Sequence, residues 1–394
     1  MRKFIIFLCA CIVGFFNVNP IVTVYANSKT SKLEQELETS ISDQLSDLNF
    51  SNLDSYLNDI NKNYNFIEST NFKDLVQKIS QGDYFSNYQN IFDAIFNLLF
   101  GNIKSIIPLL FLIVAIAVLG SIVNNLKSDK VSGGVGDLIH FVCYGVVVLI
   151  LVGSISHIIA LTSSCLNGML SQMQIIFPIM LTMLVSIGGV VSAGIYKPIV
   201  SILTQVVGFI FSNLLFPLFI LSFVFLIIGN LSSNIKLNRF NNFFSSVFKW
   251  SVGFIFTMFS AFLTIQGISA GKFDGISIKA TKFAVKSYIP LIGGYISDGF
   301  DLIMGASVII KNAVGVAGLF LIFANVLKPI IYIMALKLGL QLVSAILEPM
   351  GDGRIGNFAS GCSKILTYPI VIILSVAFMY LLSVGLIMTT ANII

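Results

Sequence analysis

Long apolar runs separated by short polar intervals fill the chain from about residue 101 to its end. A helix needs roughly 20 consecutive apolar residues to cross a bilayer, and most of these runs are about that long or longer. The pattern therefore predicts an all-α, polytopic membrane protein with six to eight transmembrane helices. The predicted segments are Ile103–Leu126, Leu138–Leu161, about 170–195, Ile199–Gly229, Trp250–Gly267, Asn312–Leu327, Ile330–Leu347 and Tyr368–Ile393.

Two of these regions leave the number of crossings open. Ile199–Gly229 is longer than the roughly 20 residues of one crossing and has Pro217 in its middle. It forms either one kinked helix, which we favour, or a hairpin broken near the proline. Asn312–Leu327 and Ile330–Leu347 are separated only by Lys328 and Pro329, so they form either two crossings or one broken helix.

The positions of basic residues predict which side of the membrane each loop occupies. If residue 27 is outside, the basic loop 126–130 is cytoplasmic, as the positive-inside rule requires. Counting the next two segments as separate crossings then places Tyr196–Pro198 inside. A single kinked helix after that point leaves three basic residues outside, against the rule: Lys236, Arg239 and Lys249.

A signal peptide, residues 1–26, is predicted ahead of the apolar runs. Arg2 and Lys3 precede the apolar core Phe4–Phe16, and the residues before position 27 suit cleavage after Ala26. The core is short for a crossing, which favours a cleaved signal over an uncleaved anchor helix. In both cases the following region is exported.

Residues 27–100 are predicted to form an exported helical region. Apolar residues recur there at helical spacing in three sets, separated by Asn, Ser and Asp residues that suit caps and turns. The third set is entered through Thr70 or Asn71 as a cap. The region is either a solvated spacer or a docking surface for another exported protein. The sets begin at Leu33, Leu53 and Phe72.

Charged residues return in the segment 271–311, between two apolar regions. On a helix, Lys279, Lys282 and Lys286 share one face, which is typical of an amphipathic interfacial or re-entrant segment. Pro290 and two glycines then break the helix. Asp298 and Asp301 open the next helix, which continues through Lys311. These charges either contact headgroups and water or line a hydrated pathway, because ionisable residues inside a membrane often mark such pathways.

Small residues recur at the start of the C-terminal apolar region, 312–394. Gly and Ala let membrane helices approach closely, for packing within the chain or for a seam between subunits. We favour packing within the chain. The residues are Ala313, Gly315, Ala317 and Gly318.

Composition and charge support a membrane protein. The chain is 56% hydrophobic and only 10% charged, against about a quarter charged residues in soluble domains. Residues 27–100 have a net charge of −6, whereas residues 101–394 have +9. The basic residues therefore flank the transmembrane helices of 101–270 and 312–394, and no basic soluble face for nucleic acid is present.

No pattern predicts an enzyme, a metal site or a cofactor. His140 and His157 lie seventeen residues apart in one predicted crossing, too dispersed for the clustered ligands of a metal. The five cysteines show no metal or disulfide spacing. No phosphate-binding glycine loop occurs, so an ATP-driven motor would be a separate protein.

The chain resembles the stage III sporulation protein AE family over essentially its whole length. The leader, exported helical segment and polytopic region match the architecture of that family. The most specific similarity lies between residues 272 and 352. It is carried by Lys279–Phe283, Tyr288–Gly293, Ser297–Asp301, Lys311–Gly318 and Pro349–Asp352.

The resemblance implies a multi-pass subunit of a secretion-like channel complex that links mother cell and forespore in endospore formation. It implies the mother-cell membrane around the forespore, with residues 27–100 in the intermembrane space. The implied partners are membrane lipid and other membrane subunits, including a separate ATPase and ring-forming proteins. An alternative is a stand-alone secondary transporter or permease with a polar site around Asp298, Asp301 and Lys311.

Overall fold

The computed structural model of the 394-residue chain describes residues 30–48, 50–64, 71–81, 88–125, 134–231, 238–288, 293–349 and 353–390. The predicted cleavage site after Ala26 lies outside these ranges. All regular elements in them are helices, and a π-helical segment, Phe211–Leu215, joins two of the α-helices. The α-helices are α1 (Thr30–Ser46), α2 (Ser51–Tyr64), α3 (Phe72–Gln81), α4 (Tyr88–Asn125), α5 (Gly134–Ser186), α6 (Val190–Ile210), α7 (Phe216–Leu231), α8 (Asn238–Tyr288), α9 (Gly293–Leu347), α10 (Gly353–Ile365) and α11 (Thr367–Thr389).

Six helical segments of the described chain are long and apolar enough to cross a membrane. The prediction of an all-α protein with six to eight crossings is therefore confirmed, at six. They are Phe96–Ile122, Phe141–Ser186, Thr204–Asn230, Arg239–Ile265, Gly299–Leu347 and Arg354–Thr389.

Helix α5 corrects one prediction. Leu138–Leu161 and about 170–195 were expected to be separate crossings, but α5 runs without a break from Gly134 to Ser186. The polar interval between them contains no turn. The helix continues through it, and the Thr162 hydroxyl is satisfied inside the helix by donating to the Ile158 carbonyl one turn earlier. At 53 residues, α5 is about 80 Å long, well beyond the roughly 30 Å of a hydrocarbon core.

One kinked crossing, rather than a hairpin, occupies the region around Pro217. Helix α6 passes directly through the π-helical segment into α7. The backbone N–H of Phe216 bonds to the Phe211 carbonyl five residues earlier, which is the π-helical pattern. Proline removes a helical donor and crowds the preceding turn, and the wider π turn accommodates it without ending the helix.

The last ambiguous region is also a single helix. Helix α9 runs from Gly293 to Leu347 with Pro329 inside it. Asn312–Leu327 and Ile330–Leu347 therefore belong to one element. The segment 271–311 consists of the last part of α8, the connection after Tyr288 and the first part of α9.

The bundle has two ends that hydrogen bonds identify. The α1 end contains α1–α3, the 187–189 turn and Thr390, and Gly188 has a left-handed φ of 92° in that turn. At the opposite end, the Tyr144 hydroxyl donates to the Ile227 carbonyl at 2.7 Å. Ser344 donates there to the Gly356 carbonyl at 2.9 Å.

The unbroken α5 changes the side on which the following residues lie. Tyr196 is at the α1 end, because its hydroxyl lies 3.2 Å from the Thr390 hydroxyl. The prediction that placed Tyr196–Pro198 across the membrane from residues 27–100 is therefore wrong. Arg239, which opens the next helix, lies at the opposite end, since Phe240 stacks on Phe225 of α7.

Helix α9 is the central element of the bundle. It packs against α4, α5, α10 and α11, and also against α1 and α3. Helix α11 is the most deeply buried crossing, whereas α4 and α8 expose large apolar side chains such as Phe111 and Trp250. Such exposed apolar faces are expected where lipid surrounds a helix.

The three N-terminal helices form a small cap on the bundle. Leu45, Leu53 and Leu57 are fully buried, as the apolar spacing predicted for α1 and α2. The Asp54 carboxylate accepts a 2.6 Å hydrogen bond from the backbone N–H of Phe72, at the start of α3. An acidic group at a helix N-terminus satisfies a free donor and suits the helix dipole.

Candidate functional site

A buried lysine lies at the α1 end of the bundle. The Lys311 side chain is fully buried, and its Nζ donates to the Thr390 carbonyl at 2.6 Å. A buried ammonium group is costly unless it is hydrogen-bonded. The partner here is a carbonyl at the C-terminal end of α11, where the helix dipole also favours a positive charge.

The same threonine connects α11 to α6. The Thr390 hydroxyl donates to the Leu386 carbonyl at 2.7 Å and lies 3.2 Å from the Tyr196 hydroxyl. Three helices, α6, α9 and α11, therefore meet through side chains at this point.

The cap joins this site one helical turn away. Ser307 lies four residues before Lys311, and its hydroxyl donates to Oε1 of Gln44 at 2.8 Å. The Gln44 Nε2 donates to the Ile303 carbonyl at 3.3 Å. We call Gln44, Tyr196, Ser307, Lys311 and Thr390 the polar junction.

The polar junction is suited to holding helices together. Its polar groups are matched to one another in a buried setting, and such satisfied networks fix one arrangement of the surrounding elements. Two connections result: the cap to α9, and the end of α11 to α6 and α9.

The predicted charged residues fall in different places. Asp301 is exposed near the start of α9. Asp298 is on the first turns of α9, and Lys279, Lys282 and Lys286 are on the last part of α8. The side chains of these last four lie outside the described residues. Lys311 is the member of the predicted set that the structure places inside the bundle.

The predicted small residues pack within the chain. Ala313 and Ala317 are buried. A Cβ on Gly315 would lie 2.7 Å from the Met388 sulfur, and one on Gly318 would lie 2.7 Å from the Tyr380 hydroxyl oxygen. These residues let α9 approach α11 closely.

Sequence reasoning missed most of the polar junction. Ser307 has a local signal, because residues four apart share a helix face and Lys311 had already been identified. Gln44 is 263 residues from its partner Ser307. Thr390 is 79 residues from Lys311 and 194 from Tyr196. Nothing in the local pattern distinguishes them from other polar residues.

Further polar contacts follow α9 towards the opposite end. Asn325 Nδ2 donates to the Cys165 carbonyl at 3.3 Å, and Lys337 Nζ donates to the Thr367 hydroxyl at 2.9 Å. His157 lies edge-on to Tyr332, with ring centroids 5.3 Å apart. Within the described ranges, no group of three or more His, Cys, Asp or Glu residues is placed to hold a metal ion.

These features define an all-helical polytopic membrane protein whose N-terminal helical cap is fastened to one end of the bundle. The chain belongs to the stage III sporulation protein AE family, whose model matches residues 70–391. The most specific residues of the expected resemblance, between 272 and 352, lie within that match. The prediction of this family is confirmed.

A relative from Bacillus subtilis (strain 168), stage III sporulation protein AE, is 25% identical over 374 residues. The alignment covers 94% of this chain and 93% of that protein. The chain is therefore similar to that sporulation protein along nearly its full length. No solved structure matches.

Proposed function

We propose that this chain is a multi-pass subunit of a secretion-like channel complex linking mother cell and forespore, in the mother-cell membrane around the forespore. The cap would face the intermembrane space. The complex would include other membrane subunits, with a separate ATPase and ring-forming proteins, and the chain would have a structural role rather than a catalytic one.

One observation supports this role most directly: the apolar residues of the cap are buried, whereas its acidic residues are exposed. Leu53, Leu57 and Phe72 are fully buried, whereas Glu38, Asp43 and others on α1 are exposed. A cap held rigidly by the polar junction presents a fixed, hydrophilic surface to a neighbouring protein. Preorganised surfaces bind with a smaller entropic cost.

The distribution of basic residues supports the proposed orientation. With the cap outside, the connections at the opposite end are cytoplasmic, and they are rich in basic residues, as the positive-inside rule asks. Of the described residues, Arg239, Arg354 and Lys364 lie at that end. In the sequence, Lys127 and Lys130 fall between α4 and α5, and Lys236 falls between α7 and α8. Lys279, Lys282 and Lys286 then lie on the same side as the acidic cap, on a long extension of α8.

The transporter alternative has less support from the contacts. Its site was to include Lys311 with Asp298 and Asp301. The Lys311 amine instead fastens α11 through the Thr390 carbonyl, and Asp301 is exposed at the start of α9.

Affinity purification of the tagged full chain from sporulating cells tests the proposal. We expect the other membrane subunits and an ATPase to co-purify in detergent. Reversal of two exposed charges, Glu38→Lys with Asp43→Lys, should weaken that co-purification while membrane levels stay unchanged. Replacing Thr39, an exposed residue on the same helix, with another uncharged residue is the matched control, because it leaves the charge of the cap unchanged. A chain that purifies alone, with its fold intact, would contradict the proposal.

A further inference from the structure

The outward surface of α5 changes character along the helix. Before residue 153 it exposes large apolar side chains, including Val142 and Leu149, the latter 72% exposed. From residue 153 to 184, all described, no large apolar side chain is exposed. The exposed positions there are Gly, Ala, Pro or polar residues instead. We give the name polar stripe to six residues on one face, of which Ser171 is half-buried and the others are exposed: Ser156, Ala160, Ser164, Asn167, Ser171 and Gln174.

The polar stripe lies on one helix face and is as long as a membrane is thick. Its residues recur every three or four positions, which keeps them on one side of an α-helix. From first to last the stripe covers roughly 27 Å at 1.5 Å per residue, close to the roughly 30 Å of a hydrocarbon core. It lies within the crossing segment Phe141–Ser186.

The amides of the polar stripe are not satisfied by their own helix. Some outward polar side chains elsewhere are, since Asn213 donates to the Phe209 carbonyl and Thr257 to the Gly253 carbonyl. The amides of Asn167 and Gln174 have no hydrogen bond of this kind among the described residues. An amide without a partner is costly in hydrocarbon, so lipid is a poor neighbour for this surface.

Helix α9 forms one wall beside the stripe and brings a lysine. It contacts α5 through Asn325, at the Cys165 carbonyl, and through Tyr332, at His157. Lys328 lies between these two contacts, on the same face of α9 by its spacing, and is exposed. Ionisable residues within a crossing almost always face a bundle interior or a water-filled cavity.

Helix α6 forms the other wall. Its Gly208 is in contact with α5, because a Cβ there would lie 2.8 Å from Leu170 Cδ1. Gln205 of α6 and Ser212 of the following π-helical segment lie three and four residues from Gly208, and both are exposed. The floor and both walls therefore each carry exposed polar side chains.

We propose that the polar stripe is the floor of a water-filled groove for small hydrophilic solutes, with anions preferred. Further chains of the assembly would keep lipid away from its open side. The inference deepens the proposed function by locating a solute pathway, and in that sense it rests on it. Anions are preferred because Lys328 adds positive charge and the sequence has no Asp or Glu from 141 to 231 or from 302 to 347.

Single cysteines in the full chain, in native membranes with native cysteines replaced, test for water. Ser164→Cys and Asn167→Cys are small changes on the stripe. Val206→Cys is the matched control, because Val206 is 45% exposed on α6 and lies on the side of that helix away from Gly208. Anionic and cationic impermeant methanethiosulfonates are the probes. We expect the stripe cysteines to react about tenfold faster or more than Val206→Cys, because lipid disfavours the thiolate.

The preference of the groove for anions is tested by comparing the two reagents. The anionic reagent should modify Ser164→Cys faster than the cationic one, and Lys328→Gln should reduce that ratio, whereas Lys364→Gln at the opposite end should not. Stripe cysteines as protected as Val206→Cys would overturn the groove, as would cross-linking between copies without modification. A ratio unchanged by Lys328→Gln would overturn the anion preference. Cysteine modification can be measured whether or not other subunits co-purify. The experiment can therefore contradict the groove without contradicting the proposed function, and the co-purification experiment can do the reverse.

Discussion

Single glycines set how closely the central helices pack. At Gly318 an added Cβ would lie 2.7 Å from the Tyr380 hydroxyl oxygen and 2.8 Å from Ile176 Cδ1. A buried aromatic ring on one side and a fully buried isoleucine on the other leave little room to move. At Gly145, by contrast, no atom lies within 4 Å of the added Cβ.

Alanine substitution at these two glycines should have opposite effects. Gly318→Ala should destabilise the fold by about 1–3 kcal/mol through overpacking. Gly145→Ala should be neutral or stabilise it by up to about 1 kcal/mol through helix propensity. Thermal unfolding of both variants in the same detergent measures this. Equal stabilities would contradict the close approach of α9 to α5 and α11.

Lys311 holds the C-terminal end of α11 in place. Its ammonium group is fully buried and bonded to the Thr390 carbonyl at 2.6 Å. Removing the donor leaves that carbonyl without this partner in a buried place. The cost of such a loss is the desolvation of the group left behind.

We expect Lys311→Met to lower stability by about 1–3 kcal/mol and to expose a C-terminal tag to protease. Lys364→Met, an exposed lysine on α10, should change stability by no more than about 0.5 kcal/mol. Thermal unfolding and limited proteolysis in detergent make the comparison. If the two variants behave alike, Lys311 does not hold α11.

Helix α5 differs from its sequence prediction, and the contacts of its polar residues explain the difference. The interval from Thr162 to Gly168 is mostly polar and lies between the two crossings predicted from the sequence. In the structure, Thr162 bonds back to its own helix and Gly168 packs against Asn325. Polarity alone does not distinguish a loop from a helix whose polar face has another neighbour.

This correction removes a conflict in the charge pattern. With two crossings between 138 and 195, a single kinked crossing left Lys236 and Arg239 outside. With the single helix α5, the same kinked crossing returns Arg239 to the end of the bundle away from the cap. The kink itself was predictable, because proline in a long apolar run permits few alternatives.

The helices of the cap were predictable from the sequence, whereas their position on the bundle was not. Apolar spacing predicted each of its helices, α1, α2 and α3. Their docking on the first part of α9 had no local signal, because it depends on residues such as Gln44 and Ser307, 263 positions apart.

Cross-linking tests the docking of the cap directly. A Cβ on Gly305 would lie 4.0 Å from Leu37 Cδ1, so cysteines at Leu37 and Gly305 should be joined by a short bifunctional reagent. Glu38→Cys with Gly305→Cys is the control, since Glu38 is exposed. A mobility shift on gels is expected for the first pair and not for the second. Equal yields for both pairs would contradict the docked arrangement.

In the part of the chain that the structure describes, six crossings form a helical bundle with a cap at one end. Its class was predictable, because roughly 20 apolar residues in a row require a helix in lipid. The arrangement of helices around α9 was not, since all crossings are similarly apolar and small residues serve packing anywhere. The polar junction and the polar stripe became visible only when distant segments were brought together.

The most direct test of this architecture is the side of the membrane on which three residues lie. Single cysteines at Asp43, Ser186 and Arg239, all exposed, can be treated with an impermeant maleimide in intact non-sporulating cells that produce the protein, where the cap side faces the medium. We expect Asp43→Cys and Ser186→Cys to react before permeabilisation and Arg239→Cys to react only after it. Protection of Ser186→Cys in intact cells, together with reaction of Arg239→Cys, would contradict the single helix α5 and the bundle built on it.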